Sequence, residues 1–274
     1  MALYTVFGGR GFIGSEIVKQ LNSSGHDVFV PIRNDERIFK EDLGFVIYCA
    51  GYGDCSKPFD VLEANVSLLS RILKNSKFES LVYVSSTRVY MNNDISSEQA
   101  DLKVCMDDNR RLFNLSKLLA EELCFKSERN VCVVRPSNVY GLAINSPLFL
   151  PAITRNAIKN KKIDMYISQN YCKDYISVTN VAEACIELVS RKFNRHEIIN
   201  IASGYNINAK QIADVLQNYT NCKVIWHEID FPSESFPITD ISSIKNYIQD
   251  YKPNNLLDDL KDLILDFKSI GNFQ

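Results

Sequence analysis

The chain has 274 residues, 46% of them hydrophobic and 23% charged, with a formal net charge of −2. That length suits one large or two unequal globular domains, and so weak a charge gives no basic footprint, so nucleic acid is not an expected partner. No run reaches the ~18 apolar residues of a membrane span, and no leader segment is expected. The eight cysteines are scattered without a C-x-x-C pair, which reads as a reduced, cytoplasmic protein with no metal site.

In chain order, Leu3 to Phe7 is a short apolar β-prone run that enters Gly8-Gly9-Arg10-Gly11-Phe12-Ile13-Gly14. A helix leaves that loop with Ile13, Ile17, Val18 and Leu21 at helical spacing. Strand, glycine loop and helix together predict a dinucleotide cradle. Glycines let the backbone approach a pyrophosphate, and the helix N-terminus offers unpaired N–H groups and a positive dipole end. The spacing is Gly8-x-x-Gly11-x-x-Gly14, not G-x-G-x-x-G, and an ordinary tight turn is the bland alternative. A second strand, Asp27 to Ile32, ends at Arg33. An acidic residue there takes a ribose 2′-hydroxyl, whereas arginine takes a 2′-phosphate. Arg33 and Arg10 therefore favour NADP(H) over NAD(H), unless Arg33 is a solvated loop residue paired with Glu36.

Only 11 residues separate Arg33 from the next strand, Phe45 to Cys49. A full β-α unit rarely fits in so short a stretch, so the third strand is expected to be either vestigial, with Arg37-Ile38-Phe39 as its candidate, or absent. Asp60 to Lys74 reads as a helix with Val61, Leu62, Val66, Leu69 and Leu73 on its apolar side. Leu81 to Val84 is a buried strand ending in Ser85-Ser86-Thr87, and a polar loop runs from Asn92 to Asp108. Arg111 to Lys126 is a helix carrying Leu112, Leu115, Leu119 and Leu123, followed by the strand Val131 to Val134 and then Arg135-Pro136. Strand and helix alternate, which predicts a doubly wound, Rossmann-like parallel sheet with its third-strand region shortened. Ligands meet such sheets at the carboxyl ends of the strands.

The second half is more mixed. Helices are predicted at 146–159, 178–189, 209–217 and 256–267, and strands at 198–201 and 223–229. These give a smaller mixed α/β substrate domain. The expected division is 1–146 and 171–203 for dinucleotide binding, with 147–170 and 204–274 for substrate. His26, His196 and His227 have no partner at catalytic spacing. Asp107-Asp108 and Glu121-Glu122 read as solvated faces, and Asp258-Asp259 complements a helix dipole.

These motifs resemble the extended short-chain dehydrogenase/reductase family of NAD(P)-dependent sugar-nucleotide epimerases, dehydratases and reductases, nearly end to end. The glycine loop, Cys49-Ala50-Gly51, Asn65-Val66, Ser85-Ser86-Thr87-Arg88-Val89-Tyr90, Ser116-Lys117 with Glu121, Arg135 to Gly141, and Lys173-Asp174-Tyr175-Ile176 carry the resemblance in order. It implies coenzyme contacts from Gly8 to Gly14, Arg33, Cys49, Ala50, Gly51, Asn65, Val84, Ser85, Lys117 and Pro136. It implies a substrate site at Ser86, Thr87, Asn138 and Lys173, with Ser86 on the substrate oxygen and Lys117 on the nicotinamide ribose. The family also pairs two helices into a dimer, here 60–74 and 111–126.

The family's acid/base is a tyrosine four residues before the lysine, on the same helix face. Here that residue is Phe113, which has no proton to give. Three explanations stay open. Tyr90, Tyr140, Cys105, Asp107 or a water held by Ser86 and Lys117 substitutes; the chemistry needs no donor; or the protein binds nucleotide without turnover. The expected function is accordingly a reductase or epimerase of a nucleotide-linked deoxy or keto sugar. The alternative is a catalytically weak or inactive structural or sensing protein that binds NADP(H). The segment 227–240 holds Glu228, Asp230 and Glu234 but no arginine to grip a diphosphate.

Overall fold

Runs of β-branched and aromatic residues alternate with amphipathic stretches, and the backbone follows that alternation. The computed structural model describes residues 1–193, 197–228 and 234–270, so His196 and Asp230 lie outside the described residues. The first elements are β1 (Leu3–Phe7), α1 (Phe12–Ser23), β2 (Asp27–Phe29), β3 (Phe45–Tyr48), α2 (Pro58–Leu62), α3 (Leu68–Asn75) and β4 (Ser80–Val84). Next come α4 (Arg111–Lys126), β5 (Val131–Pro136), β6 (Asn138–Tyr140), α5 (Phe149–Lys159), β7 (Lys162–Met165), β8 (Cys172–Ser177), α6 (Val178–Val189) and β9 (Glu197–Ile201). The chain closes with β10 (Asn206–Asn208), α7 (Ala209–Thr220), β11 (Lys223–Trp226), α8 (Ser242–Tyr247) and α9 (Leu256–Ile270).

Among the described residues, β2, β1, β3, β4, β5 and β9 form one sheet in that order, every neighbouring pair parallel. Its central strands are apolar on both faces because helices cover both. Ile17 and Leu21 of α1 pack with Val181 and Leu188 of α6 on one face. Val66, Leu69 and Ile72 pack over Tyr48, Tyr83 and Val133 on the other. β2 and β3 lie on opposite sides of β1, so a crevice opens at the carboxyl end of β1, where ligands bind in such sheets.

The second strand is shorter than the expected 27–32. Its ladder with β1 stops at Thr5↔Phe29, although β1 goes on pairing with β3 as far as Phe7↔Tyr48. Pro31 brings no N–H, and Asp35 N–H closes a turn on the Ile32 carbonyl. Among the described residues no strand forms between β2 and β3; residues 36–39 make a single 3-10 turn, and β2 is the sheet edge. α2 and α3 form one continuous rod, joined by a π-turn over Glu63–Ser67 that buries Asn65. Such turns insert an extra residue and recur at functional sites.

A second layer is built from β10-β8-β6, the pair β11-β7, and α5, α7 and α9. It has its own core, with Leu150, Ile163, Leu216, Leu260 and Phe267 buried. α8 returns to pack beside β9 on the first sheet. No helix among the described residues is long and apolar enough to cross a membrane.

Asp174 on β8 ties the layers together. Its carboxylate accepts the Ser137 hydroxyl at 2.6 Å, the Ser203 amide and hydroxyl at 2.9 Å each, and the Gly204 amide at 2.7 Å. Burial raises its pKa, and these donors oppose the rise. Asp174→Ala leaves buried donors without an acceptor and is expected to cost about 2–4 kcal/mol, read as a lower urea midpoint. A midpoint within error of the native chain contradicts that role.

Candidate active site

The site starts where β1 ends. Gly8 turns with φ +78°, and a Cβ there would stand 2.6 Å from the Ala50 backbone nitrogen. A Cβ on Gly14 would overlap the Gly8 carbonyl oxygen. Only glycines let α1 sit this close to the ends of β1 and β3. Gly11 is the N-cap and no side chain caps the helix; the first intrahelical bond runs from Ser15 N–H to the Gly11 carbonyl at 2.9 Å. The amides of Phe12, Ile13 and Gly14 thus lack intrahelical acceptors, a geometry suited to an anion.

Gly9 packs against the Val30 side chain, so the exit of β2 lies beside the loop. Arg10 and Arg33 are both exposed there. Glu36 pairs with Lys40 at 2.6 Å and not with Arg33. Asp35 is turned inward, and its two oxygens accept Arg37 Nε at 3.0 Å and Nη2 at 2.7 Å. That guanidinium holds the Asp35 carboxyl below its usual range.

Beyond β3, Cys49 donates its thiol to the Phe7 carbonyl at 3.1 Å, and burial pushes its pKa up to about 12. A Cβ on Gly51 would lie 3.2 Å from Asn65 Oδ1 and 3.4 Å from Lys117 Nζ. Asn65 donates to the Ser116 hydroxyl at 2.8 Å and accepts the Tyr52 amide at 3.0 Å. Lys117, 4% exposed, donates to the Val84 carbonyl at 2.9 Å. Burial lowers its pKa to about 8, although Glu121 opposes the shift. The expected coenzyme residues Gly51, Asn65, Val84 and Lys117 are therefore brought together.

Ser86 caps the turn Thr87–Tyr90, its hydroxyl accepting the Arg88 amide at 3.1 Å. Thr87 is buried in that turn, and Pro136 ends β5. Ser85 is committed elsewhere: its hydroxyl donates to Glu121. Glu121 holds Arg135 in a buried bidentate pair, at 3.0 and 2.6 Å. Arg135 also donates to the Tyr90 hydroxyl at 2.7 Å, which donates to Asn200 at 2.9 Å. The Tyr90 phenol is thus sealed inside, with its pKa raised to about 12 by burial. Tyr140 donates to Asp259 at 2.8 Å in the second layer. Cys105 accepts Asn92 Nδ2 at 3.6 Å, and Asp107 is exposed.

Several expectations from the sequence are corrected here. Asp108 and Glu121 are not on solvated faces; each is buried against an arginine. On α4, Leu115 and Leu119 are 45% and 49% exposed, while Asn114, Ser116, Lys117 and Glu121 are buried. The helix buries its polar stripe because that stripe meets the strand ends. His227 does have a partner, Asp164 Oδ1 at 2.8 Å, although the pair sits apart from the strand ends, on β7 and beyond β11. Among the described residues no three His, Cys, Asp or Glu side chains form a metal site.

A cavity of about 500 Å³ separates the two layers. Leu148, Phe149, Ile167 and Phe267 line it with apolar surface; Arg88, Arg110, Asn138, Lys173 and Glu234 make it polar. Arg88 reaches Asp108 at 2.7 Å and Glu234 at 3.2 Å. Tyr171 donates to Glu234 at 2.9 Å. Asn138 donates to the Asp174 carbonyl at 2.8 Å. Burial lowers the Lys173 pKa to about 8. The Phe113 ring lies 5.7 Å from Lys117 Nζ, and Arg110 sits over it at 4.8 Å. Arg110 is not singled out by the sequence, Arg88 stands there only within the motif after Ser86, and Asp108 reads there as a solvated face.

The doubly wound sheet, the uncapped amides opening α1 and the buried lysine at the strand ends define a Rossmann-type dinucleotide-binding protein. The chain belongs to the NAD dependent epimerase/dehydratase family, whose model matches residues 4–202. It is 24% identical to a putative UDP-glucose 4-epimerase of Methanocaldococcus jannaschii, over 84% of this chain and 83% of that one. It is 28% identical to GDP-6-deoxy-D-talose 4-dehydrogenase of Aggregatibacter actinomycetemcomitans, over 43% of this chain and only 39% of the relative's length. Among solved structures it is similar to MoeE5 in complex with UDP-glucose and NAD, with a TM-score of 0.85 at 18% identity over 98% of this chain and 99% of that one. That last likeness is one of fold.

The Lys117 ammonium gives a pH test. Its folded pKa of about 8 lies below the ordinary 10.5, so the unfolded chain binds more protons between those values. The destabilisation is complete below the folded pKa, and stability rises as pH climbs from about 8 towards 10.5. Lys117→Met is expected to flatten that rise in the thermal midpoint relative to the native chain. Parallel pH curves for the two proteins contradict the buried ammonium.

Proposed function

We propose that the chain is a cytoplasmic reductase or epimerase of a nucleotide-linked deoxy or keto sugar, favouring NADP(H) over NAD(H). The observation that carries this reading is the convergence of Gly51, Asn65 and Lys117 at the strand ends, beside the uncapped start of α1. In this reading the amides of Phe12 to Gly14 hold the coenzyme diphosphate, and Lys117 holds the nicotinamide ribose. The bound coenzyme supplies or accepts the hydride. Ser86 polarises the reacting oxygen, while Asn138 and Lys173 meet the sugar-nucleotide diphosphate.

Phe113 gives no proton, and Tyr90 and Tyr140 are held by other partners. In this reading a water held by Ser86 and Lys117 takes the proton role, ahead of Cys105, which accepts Asn92 Nδ2, and Asp107, which is exposed. An ammonium with a pKa of about 8 suits proton exchange near neutrality. The coenzyme preference is supported by Arg10 and Arg33, both exposed, and by Asp35, whose oxygens are taken by Arg37.

Phe113 also favours a second reading, a member that binds coenzyme as a structural or sensing element. Incubating the protein with NADPH and nucleotide-linked 4-keto sugars, and following reduced-nicotinamide absorbance, separates the two. The enzyme reading expects slow turnover, lost with Lys117→Ala and raised ~10²-fold or more by Phe113→Tyr. Tight coenzyme binding without turnover, and no gain with Phe113→Tyr, leaves the second reading. For the coenzyme, Arg33→Ala is expected to shrink the NADP+ to NAD+ affinity ratio about tenfold by titration calorimetry; an unchanged ratio removes Arg33 from recognition.

A homodimer through the helix pair is part of the proposal. The α2–α3 rod packs on α4, and together they expose Phe59, Leu62, Leu115 and Leu119. Such clustered apolar exposure fits a second copy. Leu119→Glu is expected to give monomers in light scattering where the native chain gives dimers; a native monomer contradicts the interface.

A further inference from the structure

Three cations line the cavity, Arg88, Arg110 and Lys173. The carboxylates near them are already engaged. Asp108 accepts Arg88 at 2.7 Å, Asn114 Nδ2 at 2.9 Å and the Arg110 backbone amide at 2.8 Å. Glu234 accepts Arg88 at 3.2 Å and Tyr171 at 2.9 Å, and stands 3.9 Å from Lys173. Among the described residues, the Arg110 guanidinium has no carboxylate within ion-pair distance; its contact is the Phe113 ring face, 4.8 Å away. Arg88 is 8% exposed, and its Nε is buried with no hydrogen-bond acceptor. The cavity therefore holds surplus positive charge that burial makes costly to leave unpaired.

Position says what that charge meets. Arg88 lies on the turn after β4, and Arg110 is the N-cap residue of α4. Both belong to the sheet's carboxyl edge, where a coenzyme lies in such folds. Lys173 and Asn138 belong instead to β8 and β6 of the other sheet. A substrate that reacts with the coenzyme must bring its reacting unit to the Arg88–Arg110 end. Its remainder then extends past Lys173 towards the apolar wall of Phe149, Ile167 and Phe267.

We propose that Arg110, seconded by Arg88, is a subsite for a carboxylate carried on the sugar ring, so that of the two sugar classes named above the substrate belongs to the second, a hexuronate handled at its keto level, and is not a deoxy sugar or a neutral hexose. The proposal rests on reading the cavity as a nucleotide-sugar site. A carboxylate offers two coplanar oxygens that match the guanidinium fork. A neutral hydroxymethyl group at the same place leaves the cation unpaired.

Titration calorimetry on the coenzyme-loaded protein tests this with matched pairs: UDP-glucose against UDP-glucuronate, GDP-mannose against GDP-mannuronate, and the bare diphosphates. The native protein is expected to prefer the acidic member of a bound pair by at least about tenfold. Arg110→Gln and Arg110→Ala, with melting curves confirming their folds, are each expected to bring the ratio within about twofold of unity. Equal native affinities overturn the proposal, as does a ratio that survives both substitutions. Equal weakening of hexose, hexuronate and bare diphosphate by Arg110→Ala also overturns it, by placing Arg110 on the diphosphate. Failure of every nucleotide sugar to bind overturns the nucleotide-sugar reading itself, whereas binding without acid preference removes this proposal alone.

Discussion

Close backbone approach at the carboxyl end of β1 is the constraint on which the site depends. With no side chain at Gly8 or Gly14, the first turn of α1 closes directly over the Gly8 backbone, and Gly8 in turn lies against Ala50. That contact aims the unpaired amides of α1 along the sheet edge. It also sets Gly51 within reach of Asn65 and Lys117. A methyl group at either glycine separates helix from sheet and dismantles the alignment. The coenzyme cradle is thus a packing requirement before it is a binding site.

α4 shows how the fold accommodates chemistry at a cost in stability. An ordinary amphipathic helix buries leucines and exposes polar groups; this one buries Asn114, Ser116, Lys117 and Glu121. Burying an ammonium and a carboxylate is unfavourable unless each is well partnered. Lys117 has the Val84 carbonyl, and Glu121 has Arg135 and Ser85. The outward leucines are the counterpart of that inversion, and they leave an apolar face beside the α2–α3 rod. Phe113 sits on the same helix between Lys117 and Arg110. In the proposed reading, a ring without a hydroxyl at 113 removes the family's proton donor while preserving the shape of the wall.

Much of the fold was legible because local pattern and tertiary environment agree. α6 begins and ends at the residues its periodicity predicted, 178 and 189, because its apolar face packs on the sheet and Ser177 caps it. β3, β4 and β5 were legible as apolar runs because both faces are covered. The second strand ended early, at Phe29, where the chain runs on to Pro31, which has no N–H to give a ladder, and into a turn closed by the Asp35 amide. The glycine loop, Asn65 and Lys117 stand out in the sequence because ordered motifs carry them. Arg88 stands out only as part of a motif, since its significance depends on a distant partner, and nothing in the sequence marks Arg110, whose place at the cavity is set by how α4 packs. Arg88 meets Glu234 across 146 positions of sequence, and Glu121 meets Arg135 across 14. No local window distinguishes such a buried carboxylate from a solvated one.

The most direct test is a crystal structure of the chain with NADP+ bound. The account predicts diphosphate density over the Phe12, Ile13 and Gly14 amides, with the nicotinamide ribose against Lys117 Nζ. Density for the coenzyme elsewhere, or an Arg10 side chain folded into that turn in its place, would contradict it.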